Sequence, residues 1–230
     1  MSRLNNSTRG PLLCYVTDRP SLPEFASQKA QETLLSKIEA AAASGVDWIQ
    51  IREKDLSGRD CALLTREALQ RAGKSPASNG VRARILVNDR LDAAFSERAG
   101  GVHLGETSLP LPEAKRFIKN RGELEDFVIV VSCHSLEAAK SAASDGADYL
   151  FFGPVFATPR KAAFGAPQGL ERLREVCRAV SIPVLAIGGI TLANASDCFA
   201  AGASGIAAIR LFQDARDMSS LVQSLRKQAH

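Results

Sequence analysis

The 230-residue sequence has no apolar run approaching the ~18 residues that a membrane-spanning helix needs. Its first ten residues, MSRLNNSTRG, are polar and lack the apolar stretch of a secretory signal peptide. Five cysteines form no CxxC pair and no metal-binding spacing with histidine, which predicts reduced thiols. We expect a cytoplasmic protein with no membrane partner. Residues 1–10 are expected to be disordered, ahead of one domain at residues 11–230.

A long basic tract is also missing from the sequence. Lysine and arginine number 29 against 25 acidic residues, and the two signs are interspersed. This pattern is typical of a mixed-charge surface and argues against a nucleic-acid partner. Basic residues that the fold gathers into a pocket would instead suit a phosphorylated small molecule. The sequence gives no indication of the oligomeric state.

The glycine-rich loop of a dinucleotide-binding fold would follow the first apolar run, but residues 17–20 there read TDRP. Eight short Val/Ile/Leu-rich runs alternate with amphipathic stretches, as in repeated βα units. The runs lie at 12–16, 46–51, 84–88, 101–104, 127–132, 148–153, 183–188 and 205–210. Four of them follow a shared junction in which glycine is expected to end a helix: ASGVDWI, RAGGVHL, SDGADYL and AGASGIA. These features predict an α/β fold, a single (β/α)8 TIM barrel.

Polar clusters follow the predicted strands, whose carboxyl ends meet at one mouth of a barrel. Gln50, Arg52 and Lys54 alternate along the end of the second run, so a strand would turn all three to one face. Two cations there indicate an anionic ligand. The alternative is an internal salt bridge with Glu53 or Asp55.

Two further clusters are compatible with phosphate chemistry. Asn88 and Asp89 follow the third run and could bind a phosphate oxygen and Mg²⁺, or Asp89 could cap a helix that begins at Arg90. Gly188 and Gly189 follow the seventh run, where backbone amides at a helix start could bind phosphate. The alternative is a plain tight turn.

Three residues have weaker signals. His134, after the fifth run, is compatible with acid–base chemistry or with a structural hydrogen bond. Cys133 lacks the partners of a nucleophilic thiol. Lys161 lies in the long loop TPRKAAFGAPQG. It could contact a ligand from a mobile lid, or it could be a charge that faces solvent.

The order of the clusters resembles the thiamine-phosphate synthase superfamily, which also contains the thiazole tautomerases. The similar segments, within residues 13–212, are YVTDR, QIREK, VNDR, GVHLG, SCHSLEAA, GADY, FGPVFATP, QGLE, IPVLAIGGIT and GASG. The resemblance implies a barrel that couples hydroxymethylpyrimidine diphosphate with hydroxyethylthiazole phosphate, using Mg²⁺, to give thiamine phosphate and pyrophosphate. In such synthases the diphosphate leaves first, and the thiazole nitrogen attacks the resulting pyrimidinylmethyl cation.

The resemblance also implies residue roles. The pyrimidine diphosphate is expected to contact Gln50, Arg52, Lys54, Asn88, Ser132 and Lys161. Asp89 is expected to bind Mg²⁺, and the thiazole phosphate is expected to contact Thr158, Gly189 and the backbone near Ile209. Arg52, Lys54 and Lys161 would stabilise the charge on the leaving diphosphate.

Three positions depart from the synthase pattern. Ser108 replaces a magnesium-binding carboxylate, with Glu106 as a substitute two residues earlier, and Arg160 and Arg210 add positive charge. These changes fit a thiazole tautomerase that uses His134 as acid or base. The retained diphosphate-binding set favours the synthase, and an inactive barrel that binds a phosphorylated ligand is a second alternative.

Overall fold

The computed structural model describes residues 10–25, 29–74, 80, 82–122, 126–158 and 166–228. The disorder predicted for the first ten residues lies outside this part except for Gly10, and Arg160 and Lys161 lie outside it as well. No helix of the described residues is both long and apolar enough to cross a membrane.

Eight parallel strands form a closed barrel in which each strand pairs with its neighbours in chain order. The strands are β1 (Leu12–Val16), β2 (Trp48–Ile51), β3 (Arg84–Asn88), β4 (Gly101–Leu104), β5 (Val128–Cys133), β6 (Tyr149–Phe152), β7 (Val184–Ile187) and β8 (Gly205–Ala208). Each predicted run coincides with one strand to within two residues at either end. The predicted (β/α)8 barrel is therefore confirmed.

Helices surround the barrel and connect its strands. They are α1 (Ala30–Ala43), α2 (Gly58–Lys74), α3 (Leu91–Ser96), α4 (Leu111–Arg121), α5 (Leu136–Ser144), α6 (Gly169–Ala179), α7 (Ala195–Ala200), α8 (Arg210–Gln213) and α9 (Met218–Lys227). A short 3-10 helix spans Arg19–Ser21 in the loop between β1 and α1. The described residues thus contain one α-helix more than the eight expected, because two helices follow β8.

Side chains alternate between two hydrophobic cores along each strand. The larger core lies between the barrel and the helices. The smaller core fills the barrel interior, where Trp48 packs edge-on against Tyr149 with ring centroids 4.6 Å apart. Above these rings, the interior side chains become polar towards the carboxyl ends of β2 to β5. The packed interior therefore supports a polar layer at the mouth.

The predicted glycine junction holds in three of its four copies. Gly45, Gly146 and Gly202 all have positive φ, as helix-ending glycines do. In the fourth copy the prediction is wrong, because Arg98 takes the left-handed conformation with φ 55°. Gly101 is required there for close packing, since a Cβ atom would lie 2.4 Å from the carbonyl oxygen of Val128.

The last helix is fastened to the amino-terminal end of the barrel by Arg226. Its Nη2 lies 2.7 Å from Oδ2 of Asp47 and donates to the carbonyl of Gly45 at 3.0 Å. Nη1 donates to the carbonyl of Pro11, and Asp47 also accepts from the backbone N–H of Leu13. One guanidinium therefore joins α9 to the residue before β1 and to the segment that precedes β2.

We expect Arg226→Ala to lower the free energy of unfolding by about 3 kcal/mol, because the half-buried Asp47 carboxylate loses its charged partner. Urea unfolding measures the change. Arg172→Ala is the control, since the Arg172–Glu175 pair is exposed and should contribute less than about 1 kcal/mol. Equal effects of the two substitutions would contradict the assigned role of Arg226.

Candidate active site

A polar layer closes the top of the barrel interior. Gln50 from β2, Asn88 from β3, His103 from β4 and Ser132 from β5 form it. Gln50 Nε2 donates to Asn88 Oδ1 at 2.8 Å and lies 2.5 Å from His103 Nδ1. His103 Nε2 lies 2.9 Å from Ser132 Oγ. Three of the predicted substrate contacts are therefore joined through one histidine.

His103 was missed as a site residue in the sequence. Because the Gln50 amide nitrogen carries two protons, it can donate to both Asn88 and His103. Nδ1 of His103 also lies 3.2 Å from Asn88 Oδ1, so the ring contacts Gln50, Asn88 and, through Nε2, Ser132. The ring is buried and packs on Phe151, with centroids 4.8 Å apart. The available signal was a single polar residue within the apolar run GVHL.

Two buried polar atoms at predicted substrate positions have no hydrogen-bond partner among the described residues. They are Oε1 of Gln50 and Oγ1 of Thr158. Leaving a buried acceptor unsatisfied costs about 1–3 kcal/mol, and such groups concentrate where a protein binds ligands. Both atoms are therefore candidates for contact with a bound molecule.

The segment after β2 carries two positive charges. Arg52 is half-buried and Lys54 is exposed, and neither forms a salt bridge with another described residue. Glu53 and Asp55 pair instead with Arg19, from the loop between β1 and α1. The salt bridge considered for Arg52 and Lys54 is thus absent from the described structure, and both cations remain available to an anion.

Asp89 adopts a left-handed backbone conformation with φ 60°, which is uncommon for residues other than glycine. Its Oδ2 accepts from Asn88 Nδ2 at 2.6 Å, and its Oδ1 accepts from the hydroxyl of Ser108. Helix α3 begins at Leu91 with no side-chain cap, so the capping alternative is wrong. Backbone strain of this kind is typical of functional positions.

Asp89 is the carboxylate that the sequence predicts as the Mg²⁺ ligand. Ser108, whose Oγ also accepts from the N–H of Gly105 at 2.6 Å, contacts it from the loop after β4. Glu106 in the same loop is exposed. Within the described ranges, no group of three or more His, Cys, Asp or Glu side chains could hold a metal. One carboxylate fits a Mg²⁺ ion that takes its other ligands from substrate phosphates and water.

Two glycines after β7 allow close contact with the loop after β6. Gly188 and Gly189 have φ 96° and 67°. A Cβ at Gly189 would lie 2.7 Å from Cβ of Phe156, and Phe156 N donates to the carbonyl of Gly188 at 3.0 Å. This packing holds the segment that leads to Thr158 beside Gly189. The two predicted thiazole-phosphate positions are thereby on adjacent loops.

A helix follows these glycines, as predicted, after a short turn. Helix α7 begins at Ala195, and the N–H of Thr191 is already bound by Asn194 Oδ1 at 2.8 Å. At the end of β8, Ile209 packs on the interior core, and Arg210 is exposed and pairs with Asp214 at 3.2 Å. Arg210 would have to leave this partner in order to bind a phosphate.

The surroundings of His134 and Cys133 indicate structural roles. Nδ1 of His134 is hydrogen-bonded to the carbonyl of Gly153, which joins the end of β5 to the end of β6. Cys133 is buried, and burial raises the pKa of its thiol to about 12. The thiol therefore stays protonated near neutral pH, which agrees with its rejection as a nucleophile.

Residues 23–212 match the sequence model of the family described as thiamine monophosphate synthase. The chain belongs to the thiamine monophosphate synthase family. The family predicted from the sequence is therefore confirmed, and the matched region includes every predicted site residue.

Curated relatives support the same assignment. A thiamine-phosphate synthase from Methanoculleus marisnigri is 44% identical over 189 residues, covering 81% of this chain and 83% of the relative. One from Chloroflexus aurantiacus is 42% identical and covers 82% of each chain. A solved structure, a thiamine phosphate pyrophosphorylase from Pyrococcus furiosus, superposes with a TM-score of 0.78 at 32% identity over 96% of each chain.

For this member of the thiamine monophosphate synthase family, we expect His103→Phe to lower the free energy of unfolding by about 1–3 kcal/mol. The phenyl ring keeps the packing on Phe151 but leaves Gln50 and Ser132 without their histidine partner. Urea unfolding measures the loss. Ser132→Ala, which removes a single bond of the layer, should cost less. An unchanged stability of His103→Phe would show that the histidine does not hold the layer together.

Proposed function

We propose that this chain couples hydroxymethylpyrimidine diphosphate with hydroxyethylthiazole phosphate to form thiamine phosphate and pyrophosphate. The observation that carries this proposal is the layer of Gln50, Asn88 and Ser132 at the mouth, with Asp89 in contact with Asn88. Arg52, two residues after Gln50, has no salt-bridge partner among the described residues. The names of the relatives agree with this activity.

The polar layer suits the pyrimidine ring. Oε1 of Gln50 is a buried acceptor that could accept a hydrogen bond from the amino group of the pyrimidine. Ser132 Oγ, held by His103, offers a second polar contact at the same depth. A ring held at two points is oriented as well as bound, which lowers the entropic cost of reaching the transition state.

The cations suit the leaving diphosphate. Arg52 and Lys54, together with Lys161, would stabilise the negative charge that develops as the bond to the pyrimidinylmethyl carbon breaks. Asp89, held by Asn88 and Ser108, would bind Mg²⁺, which supplies further charge neutralisation when bound.

The thiazole phosphate is assigned to the loops after β6, β7 and β8. Thr158 Oγ1, the backbone of Gly189 and the backbone near Ile209 would contact it, with Arg160 and Arg210 as charged partners. The thiazole nitrogen is itself the nucleophile, so no general base is required. Placing the two substrates side by side is the main task of this half of the mouth.

We further propose a cytoplasmic enzyme that acts on small phosphorylated substrates and has no nucleic-acid partner. All five cysteines are free and four of them are buried, as is usual for proteins of reducing compartments.

The test is release of pyrophosphate by the purified protein supplied with both substrates and Mg²⁺. We expect turnover, and we expect Arg52→Gln to lower kcat/KM by ~10²-fold or more because a cation at the leaving group is lost. Arg172→Gln is the matched control, since Arg172 is exposed on α6 and should leave the rate unchanged.

Other outcomes would favour the alternatives. Absence of pyrophosphate release together with tautomerisation of thiazole phosphate carboxylate would establish a tautomerase, provided that His134→Ala reduces the rate by ~10²-fold. Binding of thiazole phosphate without either reaction would identify a ligand-binding barrel. Both results would overturn the proposed synthase activity.

A further inference from the structure

Glu53 is a buried acidic residue placed directly between Arg52 and Lys54, with 7% of its surface exposed. Its Oε1 accepts from the hydroxyl of Thr17 at 2.6 Å, and its Oε2 accepts from the backbone N–H of Arg19 at 2.9 Å. The Arg19 guanidinium lies 4.0 Å away at its nearest nitrogen. The carboxylate therefore faces donors on both oxygens, all from the β1 side of the mouth.

Thr17 connects Glu53 to the anion-binding segment. Its Oγ1 accepts from the backbone N–H of Arg52 at 2.9 Å while its proton is donated to Glu53. Its own N–H donates to the carbonyl of Gln50 at 2.9 Å. Glu53, Thr17 and the backbone of residues 50–52 thus form one continuous chain of hydrogen bonds.

The loop that carries Thr17 is anchored from its other side by Gln213. The Gln213 side chain accepts from the N–H of Asp18 at 3.1 Å and donates to the Asp18 carbonyl at 3.0 Å. It also accepts from the hydroxyl of Tyr15 at 3.1 Å and donates to Ser21. Since Gln213 fixes the loop, loss of the contact between Glu53 and Thr17 would mainly shift the backbone of Arg52.

On the basis of the diphosphate site proposed above, we infer that Glu53 is a positioning residue for that site. In its ionised form it accepts the Thr17 hydroxyl and so holds the backbone of Arg52 in place for the anion. When Glu53 is protonated, one of its oxygens becomes a donor, and a contact with Thr17 or Arg19 has to change. Binding of a diphosphate is therefore coupled to the ionisation of Glu53.

Ionisation of this carboxyl falls within an accessible pH range. Burial raises the pKa of Glu53 to about 7, and the hydrogen bonds from Thr17 and Arg19 oppose the rise. The groups that surround it are Tyr15 on β1, Asp18 and Arg19 in the following loop, Arg52, Lys54 and Asp55 after β2, and Cys61 on α2.

Stability and binding should depend on pH in opposite directions. The pKa of Glu53 is about 7 in the folded state against a reference value of 4.5, so the folded protein binds more protons between these values. The stability contributed by this group is present below pH 4.5 and is lost as pH rises through 7. Diphosphate binding needs the ionised form and should improve over the upper part of the same range.

Glu53→Gln mimics the protonated state with little change of shape. At pH 8 we expect it to weaken binding of inorganic pyrophosphate about tenfold in the presence of Mg²⁺, measured by calorimetry. We expect the KM for the pyrimidine diphosphate to rise in parallel. Wild-type affinity should increase through about pH 7 more steeply than that of Glu53→Gln, because ionisation of pyrophosphate is common to both proteins.

Asp55→Asn is the matched control for charge. Asp55 is exposed and bonds only the Arg19 guanidinium among the described residues. Both substitutions remove one negative charge beside an anion site, so electrostatics alone predicts tighter pyrophosphate binding in each. Weaker binding in Glu53→Gln and unchanged or tighter binding in Asp55→Asn would support positioning. Tighter binding in both would overturn it.

Thr17 provides the second control. Thr17→Val removes the hydroxyl, whereas Thr17→Ser keeps it and should retain affinity. The effects of Thr17→Val and Glu53→Gln should not add in the double variant, because both break the same chain of contacts. Full additivity would contradict the inference. The inference would also be wrong if the variants bound less pyrophosphate at pH 8 only because a larger fraction of them is unfolded.

This inference and the proposed activity fail in different ways. Absence of pyrophosphate release by the wild-type protein would count against the activity, while the calorimetric comparison would still report on Glu53. Normal turnover with equal pyrophosphate affinities in wild type and Glu53→Gln would count against the inference alone.

Discussion

Every strand of the barrel exchanges backbone hydrogen bonds with both of its neighbours, and because all of these pairs are parallel, all the carboxyl ends lie at one mouth. The polar layer depends on that constraint. Gln50 and His103 are 53 residues apart in the chain, yet their side chains meet because β2, β3 and β4 lie side by side. The rings of Trp48 and Phe151 fill the barrel interior beneath the polar layer and support it.

The mouth combines positive charge for ligands with acidic residues that shape its backbone. Glu53 accepts hydrogen bonds from Thr17 and Arg19, and Asp89 accepts them from Asn88 and Ser108. Burial of Glu53 opposes its charge and therefore reduces stability near neutral pH. A cost of this kind at a strand end is typical of sites where function and stability make different demands.

Much of the fold could be predicted because its signals are local. Apolar runs of strand length, separated by amphipathic stretches, located all eight strands. The left-handed residue at one junction was misplaced, since Arg98 adopts it where a nearby glycine was the expected choice. That glycine was needed for close packing against a neighbouring strand, and a local pattern does not distinguish these two uses.

The sequence by itself determined the order of the strands, the polar residues at their ends and the family to which they belong. Only the tertiary structure decided how those residues pair: His103 joins the layer, Ser108 contacts Asp89, and Arg19 rather than Arg52 contacts Glu53. The physical reason is that strand periodicity follows from adjacent residues, whereas a hydrogen-bond partner depends on distances between distant parts of the chain. Those distances exist only once the barrel has closed.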